Sequence, residues 1–120
     1  MSLKKKFFKV IFTANILLSS SLAFAVPQKI NSAFLGTWCD GMEAIEITKS
    51  HIIMMDGHGK TLVNVHELMV NTSNKISGIF RYENNDKLTI TTYELKNKKL
   101  YEYFYMQGKL ISSERYKCDL

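Results

Sequence analysis

Two cysteines, Cys39 and Cys118, are the residues of this 120-residue chain with the most definite chemistry. Neither belongs to a C-x-x-C motif, the usual arrangement for redox chemistry. In an exported chain, two cysteines most simply form a disulfide, because the compartments outside the cytoplasm are oxidising. We therefore predict a structural Cys39–Cys118 disulfide that joins the first strand of the fold to the last. A redox-active thiol pair and an intermolecular bridge are the alternatives.

Three histidines, His51, His58 and His66, are the candidate metal ligands. If residues 57–58 form a two-residue hairpin turn, His51 pairs with residue 64, and His66 lies diagonally from it on the same face. No dense ligand motif accompanies these histidines. The sequence therefore predicts neither a metal site nor a cofactor.

Motifs for catalysis are missing from the sequence, which contains no G-x-S-x-G, no phosphate-binding loop and no H-E-x-x-H. Asp40, Glu43 and Glu46 cluster near the first predicted turn. Glu43 and Glu46 differ in parity, so they should point to opposite faces of a strand. We predict that the protein is not an enzyme.

All six tyrosines lie in the second half of the chain, and Tyr101, Tyr103 and Tyr105 recur at every second position. In a strand these three side chains share one face. Cross-strand packing on a half-exposed sheet is one interpretation. The other is a recognition face, because tyrosine combines a rigid ring with a polar tip and is enriched at binding surfaces. We take Tyr101, Tyr103 and Tyr105 as the candidate binding face.

Residues 1–25 have the three parts of a secretory signal peptide: four lysines, an apolar stretch, and Ala23-Phe24-Ala25 before the expected cleavage. The apolar stretch is too short for a membrane anchor. We predict a cleaved leader, a single domain over residues 26–120, and a periplasmic or secreted location in a bacterial envelope. The leader accounts for four of the formal +5 charges. The remaining charge of about +1 argues against a nucleic-acid partner.

Turn residues separate eight short segments with the composition of β-strands. We predict strands at 34–39, 43–48, 51–55, 61–70, 75–83, 88–95, 99–106 and 109–118, with residues 66–70 either strand or a helical turn. Sequential hairpins are typical of an antiparallel meander, and a disulfide from the first strand to the last favours a closed or nearly closed barrel. A two-sheet sandwich is the alternative.

Leu35-Gly36-Thr37-Trp38 resembles the G-x-W opening of lipocalin-like (calycin) domains. This resemblance implies an eight-stranded barrel, a Trp38 side chain that packs at the barrel end against the last strand, and a small apolar ligand. The chain is much shorter than a typical lipocalin, so its own side chains could fill the barrel. Small periplasmic lysozyme inhibitors are similar in size and compartment, but their S-G-x-x-Y motif is not matched at Ser77-Gly78.

From these features we expect a small exported binding module. A protein partner ranks first, with the chain as an inhibitor or immunity-type partner of an envelope or secreted enzyme. A lipocalin-like carrier of a small apolar ligand is the alternative, in which Trp38 and the five methionines of residues 26–120 would lie near the cavity. Interior volume distinguishes the two, since a cavity of about 300 Å³ or more favours a carrier.

Overall fold

The computed structural model describes residues 28–118, so the predicted leader and its cleavage site lie outside the described residues. Eight antiparallel strands form a closed barrel in which each strand pairs with the next. The strands are β1 (Gly36–Cys39), β2 (Ala44–Ile47), β3 (His51–Asp56), β4 (Gly59–Asn71), β5 (Lys75–Tyr82), β6 (Leu88–Lys96), β7 (Lys99–Met106) and β8 (Lys109–Lys117). The predicted all-β barrel is confirmed, and the sandwich alternative is wrong.

The hairpin registers follow the turn signals of the sequence. Asp56 pairs with Gly59 across a two-residue turn, so His51 pairs with Asn64 as predicted. At the end of the β7–β8 hairpin, Gln107 and Gly108 both have positive φ, of 52° and 78°. Such values are typical of the tight turns that match the twist of antiparallel strands.

The first and fourth strands differ most from the sequence predictions, and several other strand ends shift by one residue. Phe34, predicted to begin the first strand, instead ends a 3-10 helix, Ser32–Phe34, whose N-cap residue Asn31 accepts a hydrogen bond from the Ala33 N–H. β4 is longer than predicted and includes residues 66–70 as strand, with register shifts between Val65 and Glu67 and again after Leu68. These bulges absorb extra residues within one strand, which explains why its periodicity is ambiguous in the sequence.

The core consists of the side chains that alternate towards the inside of the barrel. Phe34, Ile52, Ile76 and Leu100 are fully buried, at 0 % exposure. The lead-in also contributes, because Ile30 is buried and its N–H donates to the carbonyl of Lys49 at 2.8 Å. Each fully buried aliphatic or aromatic side chain contributes about 1.5–3 kcal/mol to folding, so the core stabilises the barrel without a ligand.

The predicted disulfide is present. Cys39 and Cys118 are bonded, with 5.4 Å between their Cα atoms and a sequence separation of 79. It reinforces a short seam, because β1 and β8 pair only at Trp38–Lys117 and Cys39–Tyr116. Within residues 28–118, no helix is long and apolar enough to cross a membrane.

Candidate functional site

The three tyrosines of the candidate face project outward from β7, since their neighbours Leu100 and Glu102 are buried inside. We call Tyr101, Tyr103 and Tyr105 the tyrosine face. The rings of Tyr101 and Tyr103 are stacked, with centroids 6.4 Å apart and an interplanar angle of 14°. Tyr105 is 73 % exposed. The strand therefore presents a pre-ordered aromatic ladder to solvent.

Exposed aliphatic residues border the tyrosine face on both sides. Leu110 pairs with Tyr105 from β8 and is 57 % exposed. Ile90 of β6 is 65 % exposed and precedes Thr91, which pairs with Phe104, so its neighbour on β7 is also Tyr105. Leu88 is exposed two residues away on the same strand face. Contiguous exposed apolar side chains of this kind are typical of interaction sites.

One ion pair flanks the other end of the tyrosine face. The Lys99 ammonium lies 3.0 Å from the Glu114 carboxylate and 5.1 Å from the centre of the Tyr116 ring. Its hydrogen bond lowers the pKa of the Glu114 carboxyl. Because both groups are solvent-accessible, this pair contributes little to stability. Its effect is to place polar groups at the rim of an otherwise aromatic and aliphatic surface.

Trp38 lies in β1, opposite Lys117 of the last strand. It is 5 % exposed, and its indole Nε1–H donates to the Phe34 carbonyl at 3.0 Å. Lys117 of the last strand lies over the ring at 4.5 Å from its centre, and its ammonium also donates to the Leu35 carbonyl. The residue thus packs between the 3-10 helix and β8.

A buried polar cluster lies inside the barrel. The Arg115 guanidinium donates to the Glu102 carboxylate at 2.7 Å, and the Tyr93 hydroxyl donates to the other carboxylate oxygen at 3.2 Å. Burial, together with the nearby Glu102 charge, raises the pKa of the Tyr93 phenol well above its usual value. The alternation of β7 placed Glu102 among inward residues, but the sequence offered no signal that Arg115 would meet it.

An open cavity of about 370 Å³ lies at the end of the barrel where the β3–β4 and β5–β6 turns meet. Six of its lining residues carry polar groups, Glu43, Asp56, Thr61, Tyr82, Asn84 and Asn85, and the other two are Met54 and Met55. Burial raises the pKa of the Tyr82 phenol. The volume exceeds the threshold for a carrier, whereas the polar lining does not suit an apolar ligand. Two of the five methionines line it.

The three histidines do not come together in a ligand set. His51 begins β3, His58 lies in the following turn, and His66 lies at the β4 bulge. Among residues 28–118, no group of three histidine, cysteine or acidic side chains is close enough to hold a metal ion.

Glu43 and Glu46 also separate. Glu46 lies within β2 and pairs with Ile53, whereas Glu43 lines the cavity and approaches Arg115 at 3.7 Å. The two carboxylates thus do not face each other across a common cleft, an arrangement that glycoside chemistry would require.

Comparison with known proteins does not extend this description. No family model matches the sequence, and neither a curated protein nor a solved structure with significant similarity was found.

Proposed function

We propose that this chain is an exported binding module without catalytic activity and that its partner is another protein, which it engages through the tyrosine face. The role that fits best is that of an inhibitor or immunity-type partner of a bacterial envelope or secreted enzyme. The proposal rests on one observation: Tyr101, Tyr103 and Tyr105 form an outward-facing ladder on β7, with Tyr101 and Tyr103 stacked and partly exposed, Tyr105 exposed, and exposed Ile90 and Leu110 beside it.

The tyrosine side chains lose little conformational entropy when a partner binds, which favours this surface as a binding site. Tyrosine buries a large ring while losing only two side-chain torsions. The Tyr101 and Tyr103 rings are already stacked against each other, so binding would immobilise them at little further entropic cost. A flat, pre-ordered surface of this kind suits a folded protein better than a small molecule.

The proposed location follows from the cysteines and the leader together. The Cys39–Cys118 bond is the state that an oxidising compartment maintains. Residues 1–25 have the pattern of a secretory leader. Export to the periplasm or beyond would bring the tyrosine face into contact with envelope or secreted enzymes.

The test is native mass spectrometry of the protein purified from its own compartment without reduction, followed by crosslinking of whatever protein remains bound. We expect a defined protein partner whose crosslinks map to β7 and its neighbours β6 and β8. Crosslinks confined to the turns around the cavity, or a small molecule retained in place of a protein, would contradict the proposal.

A second candidate is a carrier of a small molecule, favoured by the cavity of about 370 Å³. Glu43, Asp56 and two asparagines line it, so a cargo held there would have to be polar or cationic rather than apolar. The same mass spectrum distinguishes the candidates, because a carrier retains a small molecule of fixed mass and loses it when Glu43 and Asp56 are replaced by leucine.

A further inference from the structure

One side of strand β8 has a neighbour for only part of its length. β1 pairs with β8 at Trp38–Lys117 and Cys39–Tyr116 and then ends, because the Asp40 N–H donates to the Glu43 carbonyl and turns the chain towards β2. On the other side, β7 pairs with β8 over residues 109–116. Residues 109–113 therefore border no second strand among the described residues.

The direction of the unpaired backbone groups follows from strand alternation. The Cys118 N–H donates to the Thr37 carbonyl at 3.1 Å, towards the β1 side. Residues two and four positions apart along a strand direct their backbone groups to the same side. Leu110 and Ser112 thus direct two N–H and two C=O groups to the open edge, while Ile111 bonds to β7.

This edge is unusual because apolar side chains accompany it. Leu110 is 57 % exposed on the outer face, and Ile111 is 37 % exposed on the face that continues the barrel lining. Native sheets generally protect their edges with charges, prolines or covering segments, since an open apolar edge recruits another strand. Here only Lys109 and Glu114, at the two ends of the segment, carry charge.

We propose that a second copy of this chain covers the edge, with the two β8 strands antiparallel around a twofold axis at Ile111. In this register Leu110 of each copy pairs with Ser112 of the other, so all four edge groups of each copy find partners. Ile111 lies directly opposite its own equivalent in a non-hydrogen-bonded pair, where Cα atoms approach to about 4.5 Å. The sheet then continues from one barrel into the next.

The side chains favour this self-pairing on both faces. The two Ile111 side chains meet on one face. On the other, the two Leu110 side chains are diagonal neighbours, close enough for long apolar side chains to touch. Lys109 of one copy pairs with Ser113 of the other, and Glu114 lies opposite Gly108, so no like charges are opposed. The same surface thus serves both copies, as a twofold interface requires.

The inference is independent of the proposed function. The tyrosine face lies on the outer surface of β7, one strand away from the new pairing, and of its surroundings only Leu110 also takes part in the dimer contact. A dimer would present two such faces on one continuous sheet surface.

Amide hydrogen exchange and native mass spectrometry of the mature, disulfide-intact protein test the proposal over a range of concentrations. We expect a dimer, and we expect the amides of Leu110 and Ser112 to become at least tenfold more protected as it forms. A protein that stays monomeric at about 100 µM, or protection of these two amides that does not depend on concentration, would overturn the proposal.

Substitution at Ser112 sharpens the test. Ser112→Pro removes an N–H that points away from β7, so the barrel retains its internal hydrogen bonds. We expect the dimer to dissociate at least tenfold more readily, whereas Ser112→Thr, which keeps the N–H, retains it. If the proline variant does not fold, Ile111→Lys replaces it, because two lysines would then oppose each other at the axis. A dimer that survives Ser112→Pro or Ile111→Lys in folded protein contradicts this interface.

Discussion

The carboxylate of Glu102 and the guanidinium of Arg115 lie 2.7 Å apart inside the barrel, and each side chain is only 5 % exposed. Their strands pair directly, with Arg115 opposite Leu100 and Glu102 opposite Ser113. Tyr93 completes the coordination of the carboxylate, whereas the Arg115 Nε–H is buried without a hydrogen-bond partner among the described residues. The attraction between the two charges thus offsets the large free-energy cost of removing each of them from water.

Removing one member of this pair should destabilise the barrel more than removing both. Arg115→Met leaves the buried Glu102 carboxylate without a counterion, and Glu102→Gln leaves the Arg115 guanidinium with only the more distant Glu43 carboxylate. We expect each change to lower the free energy of unfolding by about 3–5 kcal/mol. The double variant Glu102→Leu/Arg115→Met buries no charge and should be more stable than either single variant. Urea denaturation of the wild type, the two single variants and the double variant measures the free energy of unfolding of each. A loss in the double variant equal to the sum of the two single losses would contradict the account.

Asp40 should make the first hairpin sensitive to acid. Its carboxylate accepts the N–H groups of Glu43 at 2.7 Å and Met42 at 2.9 Å, and these hydrogen bonds lower its pKa. Since the folded pKa lies below the unfolded value near 4, the stabilisation is present above that value and is lost as pH falls through the folded pKa.

The comparison of wild type with Asp40→Asn tests this pH dependence. At pH 7 we expect wild type to be more stable by about 0.5–1 kcal/mol, because the charged acceptor makes stronger hydrogen bonds than a neutral amide. The difference should disappear at acidic pH once the Asp40 carboxyl is protonated in the folded state. A difference that stays constant across this range would show that the carboxylate charge has no role in the turn.

Gly78 should not tolerate a side chain. It pairs with Leu68 at the β4 bulge, and a Cβ at this position would overlap the Glu67 carbonyl oxygen. We expect Gly78→Ala to reduce stability by about 1–3 kcal/mol through overpacking. Gly57→Ala is the matched control, since nothing lies within 4 Å of its added Cβ. Equal melting temperatures for the two variants would refute the steric explanation.

The disulfide should matter most at the seam that it spans. Because β1 and β8 share only two residue pairs, replacing Cys39 and Cys118 with serine should cost about 2–5 kcal/mol. Amides of β1 should then exchange faster than those of the long β4–β5 hairpin. Uniform exchange across the barrel would instead indicate that the seam holds without the bond.

The sequence predicted the parts of the fold that depend on local patterns. Alternation and turn residues placed all eight strands, and the two cysteines indicated which strands meet. The predicted start of β1 was wrong. Phe34 is buried because it ends a 3-10 helix, and a buried apolar residue at this position fits the pattern of a strand equally well. The bulges of β4 were also hidden, since an inserted residue interrupts the two-residue period on which strand assignment depends.

Side-chain partnerships across the barrel were less accessible to sequence reasoning. That Tyr101, Tyr103 and Tyr105 share one face follows from parity alone, and the burial of Leu100 and Glu102 shows that this face points outward. The meeting of Glu102 with Arg115, the convergence of Glu43 and Tyr82 on one cavity, and the open edge of β8 all depend on register between strands. The register between distant strands depends on the lengths of all the hairpins and bulges between them. No single sequence motif therefore predicts which side chains meet.

The most direct test of the central claim compares partner binding by wild type and by the variant Tyr101→Ser/Tyr103→Ser/Tyr105→Ser, with Leu62→Ser/Val70→Ser on β4 as the control for lost exposed apolar area. Native mass spectrometry of each protein, purified unreduced from its own compartment, measures the fraction bound. We predict that wild type and control retain the same protein partner, and that the tyrosine variant loses it by about 100-fold in affinity while keeping its melting temperature. Full retention of the partner by the folded tyrosine variant would contradict the account.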